Sequence, residues 1–204
     1  MNIKDSQLYF LEESCINKFG IEKGNNIFKT TEQEYKKLCD KADFRNNKAI
    51  KEHMLKNLYP TMAYYKALLK WGYESNEAIC LVKCETAKSA LDKRRKQQII
   101  TKIPRTYFWY RLLIKSVIRK KYPTEGWETK WILNNKNEIH FDFSKCLYKD
   151  ICDEEKCPEL CKVFCANDDI AFSGLLPKIR FARNGTLGTG EKYCDFHFIK
   201  NKNI

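Results

Sequence analysis

Residues 127–144 read Trp127-Glu128-Thr129-Lys130-Trp131-Ile132-Leu133-Asn134-Asn135-Lys136-Asn137-Glu138-Ile139-His140-Phe141-Asp142-Phe143-Ser144. Two β-prone runs, Trp127–Leu133 and Glu138–Ser144, flank four polar turn formers, which predicts a hairpin. In the second run Ile139, Phe141 and Phe143 fall on one face and His140, Asp142 and Ser144 on the other, the period-two pattern of a half-buried strand. Downstream, Cys157–Leu175 has helical spacing, with Pro158 tolerated in its first turn. Lys178–Arg183 and Lys192–Ile199 then read as two strands around Asn184-Gly185 and Gly188-Thr189-Gly190. The C-terminal part is thus strand–strand–helix–strand–strand.

Upstream the periodicity is helical. Leu8, Leu11, Cys15, Ile16 and Phe19 lie at helical spacing, and Gly20 and Gly24-Asn25-Asn26 are expected to interrupt them. Thr31, with Glu34 three residues on, predicts a capped helix start. That helix is expected to reach Asp40 and resume over Asn46–Asn57. Pro60 opens a helix ended by Gly72. Ser75 caps another, whose tail is expected to dissolve at Lys93-Arg94-Arg95-Lys96, and Pro104 opens the last. The fold class is α+β: a helical region, 1–122, packed on an antiparallel sheet within an α+β region, 123–204. The two are expected to form one compact unit.

The chain has 204 residues and a formal net charge of +12. The charge is concentrated. From Lys88 to Lys121 there are twelve Lys or Arg against one acid, Asp92, while the rest is nearly neutral. The segment contains Tyr107-Phe108-Trp109-Tyr110, which could stack on nucleic acid or lie at an anionic surface. The blander alternative is a core helix with snorkelling bases, and no nucleic-acid-binding motif accompanies it. No apolar run is long enough to span a membrane, and the first residues carry no secretion signal. A cytoplasmic location with reduced thiols is therefore expected.

Six of the ten cysteines fall between Cys146 and Cys194. On a helical wheel starting at Cys157, Cys161 sits at about +40°, Cys165 at about +80°, Asp168 at about +20° and Phe172 at about +60°. A carboxylate therefore lies within a stripe of thiols and aromatics, where an ionised group requires a partner. Arg183 is placed to supply one, because it shares a strand side with Ile179 and Phe181. Thr186, two glycines and Cys194 follow. A site formed by Cys165, Asp168, Arg183, Thr186 and Cys194 would offer a thiolate nucleophile, a carboxylate base and a bidentate clamp for a substrate carboxylate. The bland alternatives are packed thiols, a structural Asp168–Arg183 pair and glycines serving only a turn. No metal or other cofactor is expected. The Cys-x-x-Cys spacing of zinc sites is absent, and three thiols along one helix span about 12 Å, too far for one tetrahedral ion.

These residues resemble the L-2-amino-thiazoline-4-carboxylic acid hydrolase family. The likeness rests on Lys145-Cys146-Leu147-Tyr148, Cys157-Pro158-Glu159-Leu160, Phe164-Cys165-Ala166-Asn167-Asp168, Phe181-Ala182-Arg183-Asn184-Gly185-Thr186-Leu187-Gly188-Thr189-Gly190 and Cys194-Asp195-Phe196-His197-Phe198. It extends upstream to Leu58-Tyr59-Pro60 and Ala63–Leu69. The closing Gly-x-x-x-Cys-Asp-Phe pattern is similar, more distantly, to the 4-vinyl reductase domain, a small-molecule-binding module. The first resemblance implies a hydrolase that opens a small cyclic amidine-like amino acid, such as L-2-amino-thiazoline-4-carboxylate, to N-carbamoyl-L-cysteine. Cys165, Asp168 and Cys194 would be catalytic, and Arg183 and Thr186 would bind substrate. The second implies a non-catalytic binding or sensor module instead. The extra thiols Cys152 and Cys161 and the basic central helix depart from an ordinary hydrolase member.

Overall fold

The fold is α+β, seen in a computed structural model that describes residues 2–201. By internal contacts the chain divides into a unit of residues 1–89 and a unit of residues 90–204.

The first unit is helical. It contains α1 (Leu11–Phe19), α2 (Ile21–Asp40), α3 (Lys48–His53), α4 (Tyr59–Lys70) and the start of α5 (Ser75–Ile100). Gly20 ends α1 with a φ of 82°, a conformation glycine adopts without a Cβ penalty. The expected break at Gly24-Asn25-Asn26 does not occur, and α2 runs straight through it. Gly24 serves a close helix approach instead: a Cβ there would lie 2.6 Å from the Cys15 carbonyl oxygen of α1. Thr31 is correspondingly no cap. It is buried mid-helix and donates its hydroxyl back to the Ile27 carbonyl. A π turn, Met54–Leu58, joins α3 to α4.

The second unit takes the rest of α5, which continues past its four consecutive bases to Ile100 rather than dissolving there. It adds α6 (Thr106–Lys121), β1 (Trp127–Asn134), β2 (Glu138–Cys146), α7 (Leu147–Glu154), α8 (Cys161–Phe172), β3 (Ile179–Ala182) and β4 (Cys194–Lys200). The sheet is antiparallel with order β1-β2-β4-β3. The predicted hairpin forms, and Asn135 closes its turn by accepting from the Asn137 and Glu138 backbone N–H groups. Ile139, Phe141 and Phe143 face the core as their alternation requires. Phe141 pairs across to Phe196 on β4 with rings stacked at 5.3 Å. Each such aromatic pair contributes about 0.5–1.5 kcal/mol beyond the area it buries.

Two helices separate β2 from β3, not one, because α7 follows β2 directly. The predicted Cys157–Leu175 helix is also shorter. Cys157 is extended, with a φ of −137°, and precedes a 3₁₀ turn, Pro158–Leu160; α8 proper begins at Cys161. The proline explains this offset, because it disfavours helical geometry at the residue before it. β3 ends at Ala182, so Arg183 lies just beyond the strand.

Candidate active site

The candidate site lies within the second unit, built on α8 and on the loop between β3 and β4. Cys161, Cys165 and Asp168 follow one another at helical neighbour spacing on α8. The loop closes over them. Thr186 caps a 3₁₀ turn, Leu187–Thr189, in a reciprocal capping box with Thr189. Gly188 rests against the thiols, and a Cβ on it would lie 3.0 Å from both the Cys161 and the Cys165 sulfur. The Leu187 N–H donates to the Cys194 sulfur at 3.2 Å.

A buried carboxylate holds that loop. Asp195 accepts from the Asn184 and Gly185 backbone N–H groups at 2.9 Å and from the Asn184 side-chain amide at 3.1 Å. It stands next to Cys194, so the anchor of the loop also fixes the thiol facing Cys165. Sequence reading missed Asp195. Its strand alternation puts it on the side opposite Cys194 and Phe196, where an exposed acid is the default expectation.

Cys165 is held well below the ordinary thiol range. Hydrogen bonds with Cys161 and then Cys194 favour its thiolate, burial opposes it, and Thr186 and the Arg183 charge add to the stabilisation. The donors pay in the opposite direction. The Cys194 thiol is pushed up, first because its proton is shared with Cys165 and then by burial. The Cys165 thiol is thereby favoured as its anion, the form in which a thiol acts as a nucleophile. Cys152, a free thiol further along the same cluster, is pushed up by hydrogen bonding with Cys157 and then Cys161 and by burial.

Asp168 is pushed up to about 7, by burial first; Arg183 opposes that shift and the Cys165 charge reinforces it. Its side chain nevertheless keeps 42% of its surface accessible. A carboxyl walled in by protein yet reachable by water occupies a recess. Its neighbours share both properties. Tyr110, Tyr122, Tyr148 and Cys146 are each raised chiefly by burial while none is fully covered. Asp168 is a further cause of the shifts at Tyr122, Tyr148 and Cys146. Lys93 of α5, itself exposed to solvent, lies near enough to Asp168 for each to feel the other's charge. Burial lowers its pKa and Asp168 opposes that change. Gly174 allows the approach, since a Cβ there would run into the Arg94 carbonyl of α5. Lys93 was not singled out from sequence, because it stood within a run of four bases that read as a solvated helix tail.

Arg183 comes to α8, but with a different principal partner. Its guanidinium bonds the Asp169 carboxylate at 2.9 Å and the Cys165 carbonyl at 2.6 Å, with Asp168 further off at 3.7 Å. It lies over the Phe181 and Phe196 rings, 5.5 Å from each centroid, and its side chain is 6% exposed. These contacts make it a brace between the loop and α8. Among the described residues no group of three or more His, Cys, Asp or Glu has the geometry to hold a metal ion.

A family model described as L-2-amino-thiazoline-4-carboxylic acid hydrolase matches residues 47–198, which include every residue of this site. No curated protein matches the chain. Among solved structures, an Fe(II) unliganded H-NOX protein from K. algicida aligns over 97% of this chain and 96% of its own, at 10% identity and a TM-score of 0.38.

Proposed function

The chain belongs to the L-2-amino-thiazoline-4-carboxylic acid hydrolase family, and from that premise we propose that it hydrolyses a small cyclic isothiourea amino acid at the recess beside Cys165. A hydrolase-type function follows from the family. The substrate and the residue roles are our reading. The observation that carries it is the juxtaposition, on adjacent turns of α8, of a thiolate enclosed by proton-sharing thiols and a carboxyl poised near neutrality.

In this reading the Cys165 thiolate attacks C2 of the thiazoline ring, the amidine carbon. The bond from C2 to the ring sulfur breaks, and protonated Asp168 gives that sulfur its proton. The product remains linked to Cys165 as an open-chain isothiourea. Asp168, now ionised, takes a proton from water as the water oxygen bonds to C2. The bond from C2 to Cys165 then breaks, the carbonyl forms, and N-carbamoyl-L-cysteine leaves with one water consumed. A carboxyl titrating near 7 can serve as acid in the first half and base in the second. Lys93, near enough to Asp168 to feel its charge, pairs with the substrate carboxylate. Thr186 and Cys194 hold the thiolate through the proton each shares with it.

The test is incubation with L-2-amino-thiazoline-4-carboxylate, following N-carbamoyl-L-cysteine by mass spectrometry. Turnover should vanish in Cys165→Ser and fall strongly in Asp168→Asn, which loses both the acid of the first half and the base of the second. Full turnover in both variants overturns the residue roles. A ligand that binds the folded protein and is recovered unchanged favours the binding-module reading, which the tyrosine-lined recess would equally serve.

A further inference from the structure

The outer face of α6 is organised for a purpose the hydrolytic site does not use. Its inward face, Tyr107, Ile114 and Ile118, is buried, and Tyr110 meets Phe198 of the sheet. Its outward face carries Phe108 at 45% exposure, Trp109 at 47%, Leu112 at 57% and Leu113 at 54%, continued by Val117. At about 100° per residue these side chains fall on one side of the helix, with Arg119 and Lys120 in the same arc at its C-terminal end; Arg105 precedes the helix. Large apolar side chains gathered in one exposed patch mark an interaction surface. Apolar residues between bases, on a helix lying flat on its own sheet, match a membrane interface more closely than a protein one.

A second observation lies at the N-terminal end of that stripe. A cleft of ≈ 510 Å³ opens there, shared by the start of α6, the β1–β2 turn and the outer ends of β3 and β4. Six cations line it: Lys102, Arg105, Arg111, Lys136, Lys178 and Lys200. No carboxylate lines it, and among the described residues none of the six makes an ion pair. The nearby Glu138 is engaged by His197 at 2.9 Å. Arg105, at a φ of 55°, joins the cleft to the stripe. A free phosphate compound would account for the cleft but not for the apolar stripe beside it. A lipid surface accounts for both, headgroups meeting cations and acyl chains meeting rings.

We propose that the outward face of α6 and the six-cation cleft at its N-terminal end form a docking surface for membranes carrying anionic phospholipid. The cleft receives a phosphate-bearing headgroup, while Phe108, Trp109, Leu112 and Leu113 enter the acyl boundary. Among the described residues no helix is long and apolar enough to cross a membrane. The docking surface is independent of the catalytic reading.

The experiment is flotation of the full chain with vesicles of equal parts phosphatidylcholine and phosphatidylserine, against phosphatidylcholine alone. Binding is expected on the anionic vesicles only, falling as salt rises. Arg105→Gln with Lys136→Gln should weaken it by about 25-fold, at roughly fivefold per charge near the surface. Leu112→Ser with Leu113→Ser should abolish flotation with the thermal unfolding midpoint unchanged, as both side chains are exposed. Equal binding to neutral vesicles overturns the proposal, as does none to either. Saturable binding of inorganic triphosphate, weakened by the charge variant but not the leucine variant, together with no flotation, would make the cleft a soluble-phosphate site. Self-association lost in the leucine variant, without lipid binding, would assign the stripe to a second copy of this chain. Either result overturns the proposal.

Discussion

Substituting Gly188 by Ala tests the packing on which the candidate site depends. The backbone at 188 is of ordinary conformation, so an added methyl introduces no φ strain and reports contact alone. The methyl would lie 3.0 Å from the Cys161 and Cys165 sulfurs and 3.3 Å from the Cys161 carbonyl carbon, where ordinary contact begins at 3.4 Å. Both sulfurs belong to α8 and cannot retreat separately, so the Leu187–Thr189 turn must lift by a few tenths of an ångström. Lifting it stretches the Leu187 N–H bond to Cys194. Overpacking of this kind costs about 1–3 kcal/mol. At about 2 kcal/mol and a slope of about 2 kcal/mol per molar urea, the urea midpoint should fall by about 1 M. The assay is urea unfolding followed by tryptophan fluorescence in a Trp71→Phe background, which leaves Trp109, Trp127 and Trp131, all within residues 90–204. A second readout is alkylation of Cys165 by iodoacetamide near pH 6, followed at the Cys165 peptide. Disturbing the thiol ring should raise the Cys165 pKa and slow that reaction at least severalfold. An unchanged midpoint together with an unchanged alkylation rate would refute the account of the loop closing on the thiols.

The unsubstituted protein should alkylate at Cys165 at a rate nearly independent of pH between 6 and 8. Cys194→Ala removes one of the two leading contributors to the thiolate and should restore a pH dependence at Cys165. Asp168 binds its proton more tightly folded than unfolded, so between its unfolded pKa of about 4 and its folded value of about 7 its contribution to stability declines as pH rises. Asp168→Asn should flatten that decline, and chemical denaturation at pH 5 and pH 8 measures it; an equal slope in both proteins would contradict the recess. Asp195→Ala leaves the Asn184 and Gly185 N–H groups unpaired beneath the loop and should destabilise the protein by about 3 kcal/mol, with slower Cys165 alkylation at pH 6 as the sign that the loop has opened. If hydrolysis uses Asp168 as base in its second half, kcat should fall below pH 7, and Asp168→Asn should remove that limb of the profile.

Residues that interact through local geometry were legible in sequence. The hairpin at 127–144 follows from period-two alternation around a turn, and the shared face of Cys161, Cys165 and Asp168 follows from the pitch of a helix. Neither depends on anything outside its own segment. Where local signals competed with packing, packing won. Gly24-Asn25-Asn26 reads as a break, but α2 continues because a glycine is what lets α1 approach it. The Lys93–Lys96 run reads as a frayed tail, but α5 continues to Ile100.

What the tertiary structure alone decided is the charge partnering. Strand parity pairs Arg183 with Asp168, yet Arg183 lies just beyond β3 and its guanidinium takes Asp169 at 2.9 Å, with Asp168 at 3.7 Å. Lys93 reaches Asp168 from a different helix, through an approach that depends on Gly174. Asp195, on the face where an acid reads as exposed, is buried beneath a loop that needs four acceptor contacts. The physical reason is common to all three. Periodicity fixes which way a side chain points from its own element. Which charge is desolvated, and which partner compensates it, depends on what other elements bring within a few ångströms, and no spacing along the chain encodes that distance.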